Sequence, residues 1–271
     1  MLLEYTPVSN RIRIKIMLLT GKTILITGAT SGIGAATAMN CAAEGARILA
    51  CGRNATAGAE LLDQLATGDQ HRDHQFLPAD LADKTQVEAF IKTVKSDFKV
   101  DGLVNSAGVV HHATVPDTSD EHWDNTIALN LSAVFYLCRG LIPAMTDQGG
   151  GVIVNVASTW GLVGAEQTAA YCASKGAVIQ LTRAMAMDHA RSNVRINAVA
   201  PGAVDTPMLA AEAEAFGLSA DEGRKLWAAD APTRSLANAN DIADAIVFLL
   251  SNKSRHIHGT VLPVDGGSLA G

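Results

Sequence analysis

The feature that most limits how this chain can fold is a row of short β-branched runs, each followed by a longer helix-patterned stretch. Thr23-Ile24-Leu25-Ile26 is apolar at every second and every intervening position, as a strand covered on both faces must be. It runs into Thr27-Gly28-Ala29-Thr30-Ser31-Gly32-Ile33-Gly34, then an Ala-rich helix that ends near Gly45. Strands are expected next at 47–51, 74–77, 102–104, 152–156, 194–199 and 260–264. Helices are expected between them at 57–65, 85–95, 120–145, 168–190 and 241–250. Repeated βαβ units joined by short loops imply an α/β, doubly wound parallel sheet of about seven strands flanked by helices, a single-domain Rossmann fold.

Composition agrees with one core and narrows the function. Of 271 residues 48% are hydrophobic, enough to cover both faces of such a sheet. The net charge of −6, with no run of Lys or Arg, argues against nucleic acid as a partner. Cys41, Cys51, Cys138 and Cys172 form no CxxC pair, which suits a reduced compartment. No apolar stretch reads as reaching the roughly 18 residues that span a bilayer. The first residues carry Glu4 in their only apolar patch and no cleavage-like site. The chain is therefore read as cytoplasmic, with no membrane partner. Residues 1–16 are expected to be an extension or an overlong start, although the alternating Arg-Ile-Arg-Ile-Lys-Ile of 11–16 would also suit a sheet edge. Residues 17–271 form the domain, and 207–235, too long for an ordinary connection, is expected to be a substrate loop or lid.

A glycine-rich turn after a buried strand lets backbone N–H groups approach a pyrophosphate at a helix N-terminus, where the helix dipole favours negative charge. Gly28, Gly32 and Gly34 stand in that place, where an ordinary tight turn is the competing reading. The second strand ends Cys51-Gly52-Arg53-Asn54, with an Arg and no carboxylate to bind a ribose 2′-hydroxyl. That favours NADP(H), with NAD(H) possible and a merely solvated Arg53 the alternative.

Tyr171 and Lys175 are four apart on a helix and share one face. Ser158 closes the preceding strand, and Asn130 lies in the helix before that. With these residues the chain resembles the short-chain dehydrogenase/reductase family over residues 20–268. The match includes Thr27-Gly28-x-x-x-Gly32-x-Gly34, Asn105-Ser106-Ala107-Gly108, Asn130, Ser158, Tyr171-Cys172-Ala173-Ser174-Lys175, Pro201-Gly202 and Thr206-Pro207. The resemblance implies an NAD(P)-dependent enzyme that interconverts a secondary alcohol and a ketone. Tyr171 would be the general acid/base, Ser158 would hydrogen-bond the reacting oxygen, Lys175 would hold the nicotinamide ribose, and Asn130 would hold a relay water. A free Tyr titrates near 10, so neutral operation asks for a lowering by about 3, or roughly 4 kcal/mol. A cation about 5 Å away at an effective dielectric of about 20 supplies roughly 3 kcal/mol, which points to Lys175 together with the oxidised ring.

The resemblance further implies cofactor contacts from Gly28, Thr30, Ser31, Gly32, Ile33, Gly34, Arg53, Asp80, Leu81, Asn105, Ala107, Gly108, Tyr171, Lys175, Pro201, Gly202, Val204 and Thr206. Asp80 would also serve as a helix N-cap, and Asn105 as a strand-end brace. Ala157 replaces the second Ser of many relatives, and Ser31 replaces a basic residue that some NADP-using members carry. Substrate contacts are expected from Ser158, Trp160, Tyr171 and His111, with the His111-His112 pair suited to a polar substituent. His256-x-His258 lacks a further ligand nearby for a metal site. The family's usual homotetramer is expected through the Tyr171 helix, where Ala173, Ala177, Ala184 and Ala186 would allow close approach. Reduction of a 3-oxoacyl thioester on an acyl carrier protein, a non-catalytic redox sensor and a partner subunit in a mixed oligomer are the alternatives.

Overall fold

From Thr23 the chain alternates strand and helix, in a computed structural model that describes residues 17–68 and 73–271. The strands are β1 (Thr23–Thr27), β2 (Arg47–Gly52), β3 (Gln75–Pro78), β4 (Gly102–Asn105), β5 (Gly151–Val156), β6 (Val194–Pro201), two-residue β7 (Val204–Asp205) and β8 (Ala237–Asn238), and β9 (Val261–Val264). The helices are α1 (Gly32–Ala43), α2 (Ala55–Gly68), α3 (Lys84–Asp97), α4 (Asp120–Ile127), α5 (Ala133–Asp147), α6 (Ala169–His189), α7 (Pro207–Ala215), α8 (Ala220–Asp230) and α9 (Ala239–Leu250). Residues 1–16, and any edge pairing of their Arg-Ile run, lie outside the described residues.

Seven strands form one parallel sheet in the order β3-β2-β1-β4-β5-β6-β9. The chain lays β2 and β3 to one side of β1, then returns to lay β4 on the other. That reversal opens a crevice at the carboxyl ends of β1 and β4, the usual ligand position in such sheets. Strand alternation sends side chains to two separate cores. Leu25, Leu49, Leu103 and Ile153 pack with Val87, Leu137, Leu141 and Ile179 on one face. Ile24, Ile26, Ile48 and Val104 pack with Ala38, Cys41, Ile246 and Leu250 on the other. This is why the strands read as continuous apolar runs rather than alternating ones.

The expected helix at 120–145 departs from regularity. A π turn at Ala128–Ser132 joins α4 to α5, and together they make a 28-residue helical run with an 18-residue window of mean hydropathy 1.5. The expectation of no bilayer-length apolar stretch is thus corrected on composition. Several apolar side chains of the run, among them Leu129, Val134, Leu137 and Met145, are buried in the first core, whereas Trp123 and Phe135 stay exposed. Helix α9 starts two residues earlier than expected because Asn238 and Asp241 form a reciprocal capping box. The α6 stripe also splits: Ala173 and Ala184 are exposed, while Ala186 is buried within the chain.

Candidate active site

The turn after β1 has no room for side chains. At Gly28, φ is +65° and a Cβ would sit 2.8 Å from Ala107 Cα; at Gly34 a Cβ would sit 2.1 Å from the Gly28 carbonyl oxygen. Thr27 holds this approach, its Oγ1 accepting from the backbone N–H groups of Ser106 at 3.0 Å and Ala107 at 3.2 Å. Ser31 occupies the N-cap of α1 without a side-chain cap bond. The first-turn N–H groups at Gly32, Ile33 and Gly34 therefore lack a side-chain acceptor, and all three residues line the main cavity. A dinucleotide pyrophosphate fits this uncapped, side-chain-free end. Asn105 gives a second sign of fit. Its Nδ2 donates to Asn155 Oδ1 at 2.8 Å as a strand-end brace, yet its own Oδ1 is buried without a donor among the described residues.

The remaining cofactor-contact candidates divide in two. Ser31, Ile33, Ala107, Gly108, Pro201, Gly202, Val204 and Thr206 line the cavity of about 580 Å³ with the three turn glycines. Thr30, Arg53, Asp80, Leu81 and Asn105 stand outside its wall, around the ends of β2, β3 and β4. The Arg53 guanidinium lies 4.0 Å from Asp80 Oδ2 and is largely exposed. Asp80 does not cap α3; Asp83 does, accepting from the N–H groups of Thr85 and Gln86, while Asp80 Oδ1 accepts from Ala82 N at 3.0 Å.

Ser158, Tyr171 and Lys175 meet on one cavity wall. Ser158 Oγ accepts from Trp160 N at 3.1 Å, which starts a short 3₁₀ turn, and its hydroxyl bonds the Tyr171 side chain. The Trp160 ring stands edge-on to Tyr171 with centroids 6.0 Å apart, and Lys175 Nζ lies 5.6 Å from the Tyr171 ring centre. Lys175 is buried, donates to the Val156 carbonyl at 2.8 Å, and burial lowers its pKa to about 8. Tyr171 moves the opposite way to expectation in the protein alone. Burial pushes it up to about 12, Glu212 adds to the rise, and the Ser158 hydrogen bond opposes it. Lys175 adds no resolved lowering, and withdrawal from water disfavours the phenolate.

Asn130 sits inside the π turn, where its side chain is clamped between two elements. Oδ1 accepts from Val109 N at 2.8 Å, and Nδ2 donates to Val109 O at 2.8 Å and Ser174 Oγ at 3.2 Å. A Cβ on Gly108 would lie 3.2 Å from Asn130 Oδ1, a tight contact, and 3.5 Å from Lys175 Nζ, an ordinary one, so the glycine eases the approach of these groups. π turns recur at functional sites for this kind of re-aiming.

The two loop histidines part company. His111 stacks on His122, ring centroids 4.2 Å apart, with Asn125 Nδ2 3.4 Å from its Nε2, and it stands outside the cavity wall. Successive residues on an extended loop point opposite ways, so His112 turns to α7 instead. Its Nε2 lies 2.9 Å from Glu212 Oε1, and the Phe216 ring closes on it edge-to-face at 4.8 Å. Glu212 lines the cavity together with Trp160, Leu209 and Trp227. Local sequence patterns do not single out Glu212, because its partner is 100 residues away. His258 serves the fold, accepting from Ile196 N at 3.1 Å with its Nε2 2.6 Å from the Ala186 carbonyl.

Known proteins share this arrangement. A family model described as enoyl-(acyl carrier protein) reductase matches residues 28–268. The chain is 40% identical over 250 residues to a D-threitol dehydrogenase of Mycolicibacterium smegmatis, covering 92% of this chain and 93% of that protein. It superposes with TM-score 0.86 and 37% identity on a Beutenbergia cavernae structure with bound NADP, assigned as an NAD(P)-dependent gluconate 5-dehydrogenase; 94% of this chain and 100% of that one are covered. A levodione reductase structure superposes with TM-score 0.89 at 31% identity, covering 93% of this chain and 99% of that one.

Proposed function

The chain belongs to the short-chain dehydrogenase/reductase family, and from that premise we propose how its own residues carry out the chemistry. It is an NAD(P)-dependent oxidoreductase that interconverts a secondary alcohol and a ketone, with NADP as dinucleotide and NAD as the alternative. The observation that carries the residue assignment is the Ser158–Tyr171–Lys175 wall, which shares one cavity with the uncapped end of α1.

When bound, the dinucleotide supplies the hydride in ketone reduction and accepts it in alcohol oxidation. Gly28 and the Ser31–Gly34 turn would hold its pyrophosphate, and Arg53 its 2′-phosphate. Asp80, Leu81, Asn105 and Thr30 would flank the adenosine half, and Ile33, Ala107, Gly108, Pro201, Gly202, Val204 and Thr206 the rest. Tyr171 acts as general acid in reduction and hands its phenolic proton to the carbonyl oxygen. The raised pKa keeps that proton in place until the oxygen develops charge. Ser158 donates a second hydrogen bond to the same oxygen. Lys175, still mostly an ammonium at neutral pH with a pKa of about 8, lies beside Tyr171 and offsets charge left on the phenol. Asn130, tied to Val109 and Ser174, keeps the loop and α6 in register at Gly108 and holds the relay water that returns a proton to Lys175. In oxidation each proton runs the other way.

Residues 17–271 act as one domain, with α7 and α8 of segment 207–235 as its substrate lid; Leu209, Glu212 and Trp227 on that segment line the cavity. The domain works in the cytoplasm, a setting in keeping with its four free thiols, and assembles as a homotetramer through α5 and α6. Phe135 is 42% exposed on that face, beside a groove lined by Leu131, Tyr136 and Leu181. Light scattering on purified protein checks the assembly. The activity is tested by following reduced-nicotinamide absorbance with NADP⁺ or NAD⁺ and pooled secondary alcohols, polyols and sugars. Turnover in one pool with NADP⁺ supports the reading. Silence in every pool, with dinucleotide binding intact, removes it in favour of 3-oxoacyl thioester reduction or a sensor.

A further inference from the structure

The cavity carries a polar group that hydride and proton transfer do not use. Glu212 projects from α7 into the same space as Tyr171 and Trp160. Its side chain is 11% exposed and that of His112 10% exposed, so this is a withdrawn, ordered pair rather than a surface contact. His112 Nδ1 is buried with no partner among the described residues. The ring therefore meets Glu212 through Nε2 alone, with Nδ1 turned into packed protein. Glu212 Oε2 accepts from no described residue and is left to the cavity.

We propose that Glu212, aimed by His112, is the recognition group for a second hydroxyl on the substrate, so that this enzyme takes neutral diols and polyols in preference to simple alcohols. The inference rests on the oxidoreductase reading above and deepens it. Glu212 and Tyr171 line one cavity, so a substrate whose reacting oxygen is at Tyr171 can present a second hydroxyl to the Glu212 carboxyl. Burial raises the Glu212 pKa and the His112 hydrogen bond opposes the rise. A hydroxyl placed on the free carboxyl oxygen satisfies a withdrawn polar group, whereas an alcohol without that hydroxyl leaves it facing hydrocarbon, and a carboxylate substituent meets a second acidic group there. Trp160, Val110 and Leu209 complete the wall with apolar surface for the carbon chain. His112 is a positioning residue, and the 4.8 Å Phe216 contact keeps its ring in place.

The test compares butane-2,3-diol, butan-2-ol, 3-aminobutan-2-ol and lactate as substrates for the holoenzyme, wild type and Glu212→Gln. The expected kcat/KM ratio of diol to butan-2-ol is about 10- to 100-fold in the wild type, and it falls about tenfold in Glu212→Gln. A second readout is quenching of Trp160 and Trp227 fluorescence by erythritol with oxidised dinucleotide present, expected to saturate in the wild type and to weaken about tenfold in the variant. Equal kcat/KM for diol and butan-2-ol overturns this inference and leaves the oxidoreductase reading standing. Preference for the amino alcohol or for lactate overturns it in favour of a cation or anion site. If none of the four turns over, the fluorescence titration decides: saturable quenching that depends on Glu212 supports the hydroxyl site, and its absence overturns it.

Discussion

Replacing Tyr171 by Phe removes one oxygen and leaves the rest of the site in place. The Phe ring keeps the edge contact to Trp160 at 6.0 Å and the place under Lys175 Nζ at 5.6 Å, so packing around it is preserved. What goes is the proton donor and the hydrogen bond with Ser158. A neutral buried hydrogen bond is worth about 1 kcal/mol net, which limits the stability change to about 3 °C in Tm for a domain of this size. The catalytic loss is far larger. General acid–base transfer contributes about 10²- to 10⁴-fold, and the lost contact to the developing oxyanion adds to it. We expect kcat/KM to fall by about 10³- to 10⁴-fold, or about 4 to 5.5 kcal/mol of transition-state stabilisation. Dinucleotide affinity should stay within about threefold, because the pyrophosphate end of the site is built from the turn after β1 and not from the phenol. The assays are steady-state kinetics on a responding alcohol, fluorescence titration with the reduced dinucleotide, and a thermal melt. A folded variant with activity within about tenfold of wild type would refute the acid/base role of Tyr171, whatever the fate of binding.

Two further outcomes follow from the geometry. Arg53→Asp places a carboxylate at the end of β2, where it accepts from a ribose 2′-hydroxyl and repels a 2′-phosphate; the NADP-to-NAD ratio of kcat/KM should drop by at least about tenfold, and an unchanged ratio means Arg53 does not touch the cofactor. Lys175 has its folded pKa lowered to about 8 from 10.5, so below 8 the folded state carries a buried charge at a cost, and between 8 and 10.5 the unfolded chain binds more protons. Wild-type stability relative to Lys175→Met should therefore rise by up to about 3 kcal/mol as pH climbs from about 8 to about 10, read from urea melts at each pH; a flat difference shows that Lys175 is not desolvated.

Much of this was legible along the chain because the signals are local. A strand buried on both faces shows as Ile24-Leu25-Ile26, and a turn with no room for side chains shows as Gly28, Gly32 and Gly34. Tyr171 and Lys175 needed only helical spacing to share a face, and both line the cavity. A doubly wound parallel sheet follows from handed βαβ crossovers once the alternation is seen, whereas the order β3-β2-β1-β4-β5-β6-β9 came from the structure. Boundaries slipped where a cap decided them, as when Asp83 rather than Asp80 took the start of α3.

The tertiary structure decided whatever depends on which surfaces meet. His111 and His112 are neighbours of one type in one loop, and no local pattern separates them; packing sent one to His122 and the other to Glu212. Ala173 and Ala186 look alike on a helix, yet only the second is buried. Electrostatics divides the same way. A charge at a known spacing suggested a lowered Tyr171 once the oxidised ring is bound, while in the protein alone burial, with Glu212 adding to it, raises the phenol to about 12. Periodicity and turn chemistry act over a few residues and so are written in the sequence, whereas desolvation and long-range pairing exist only once the chain has closed on itself.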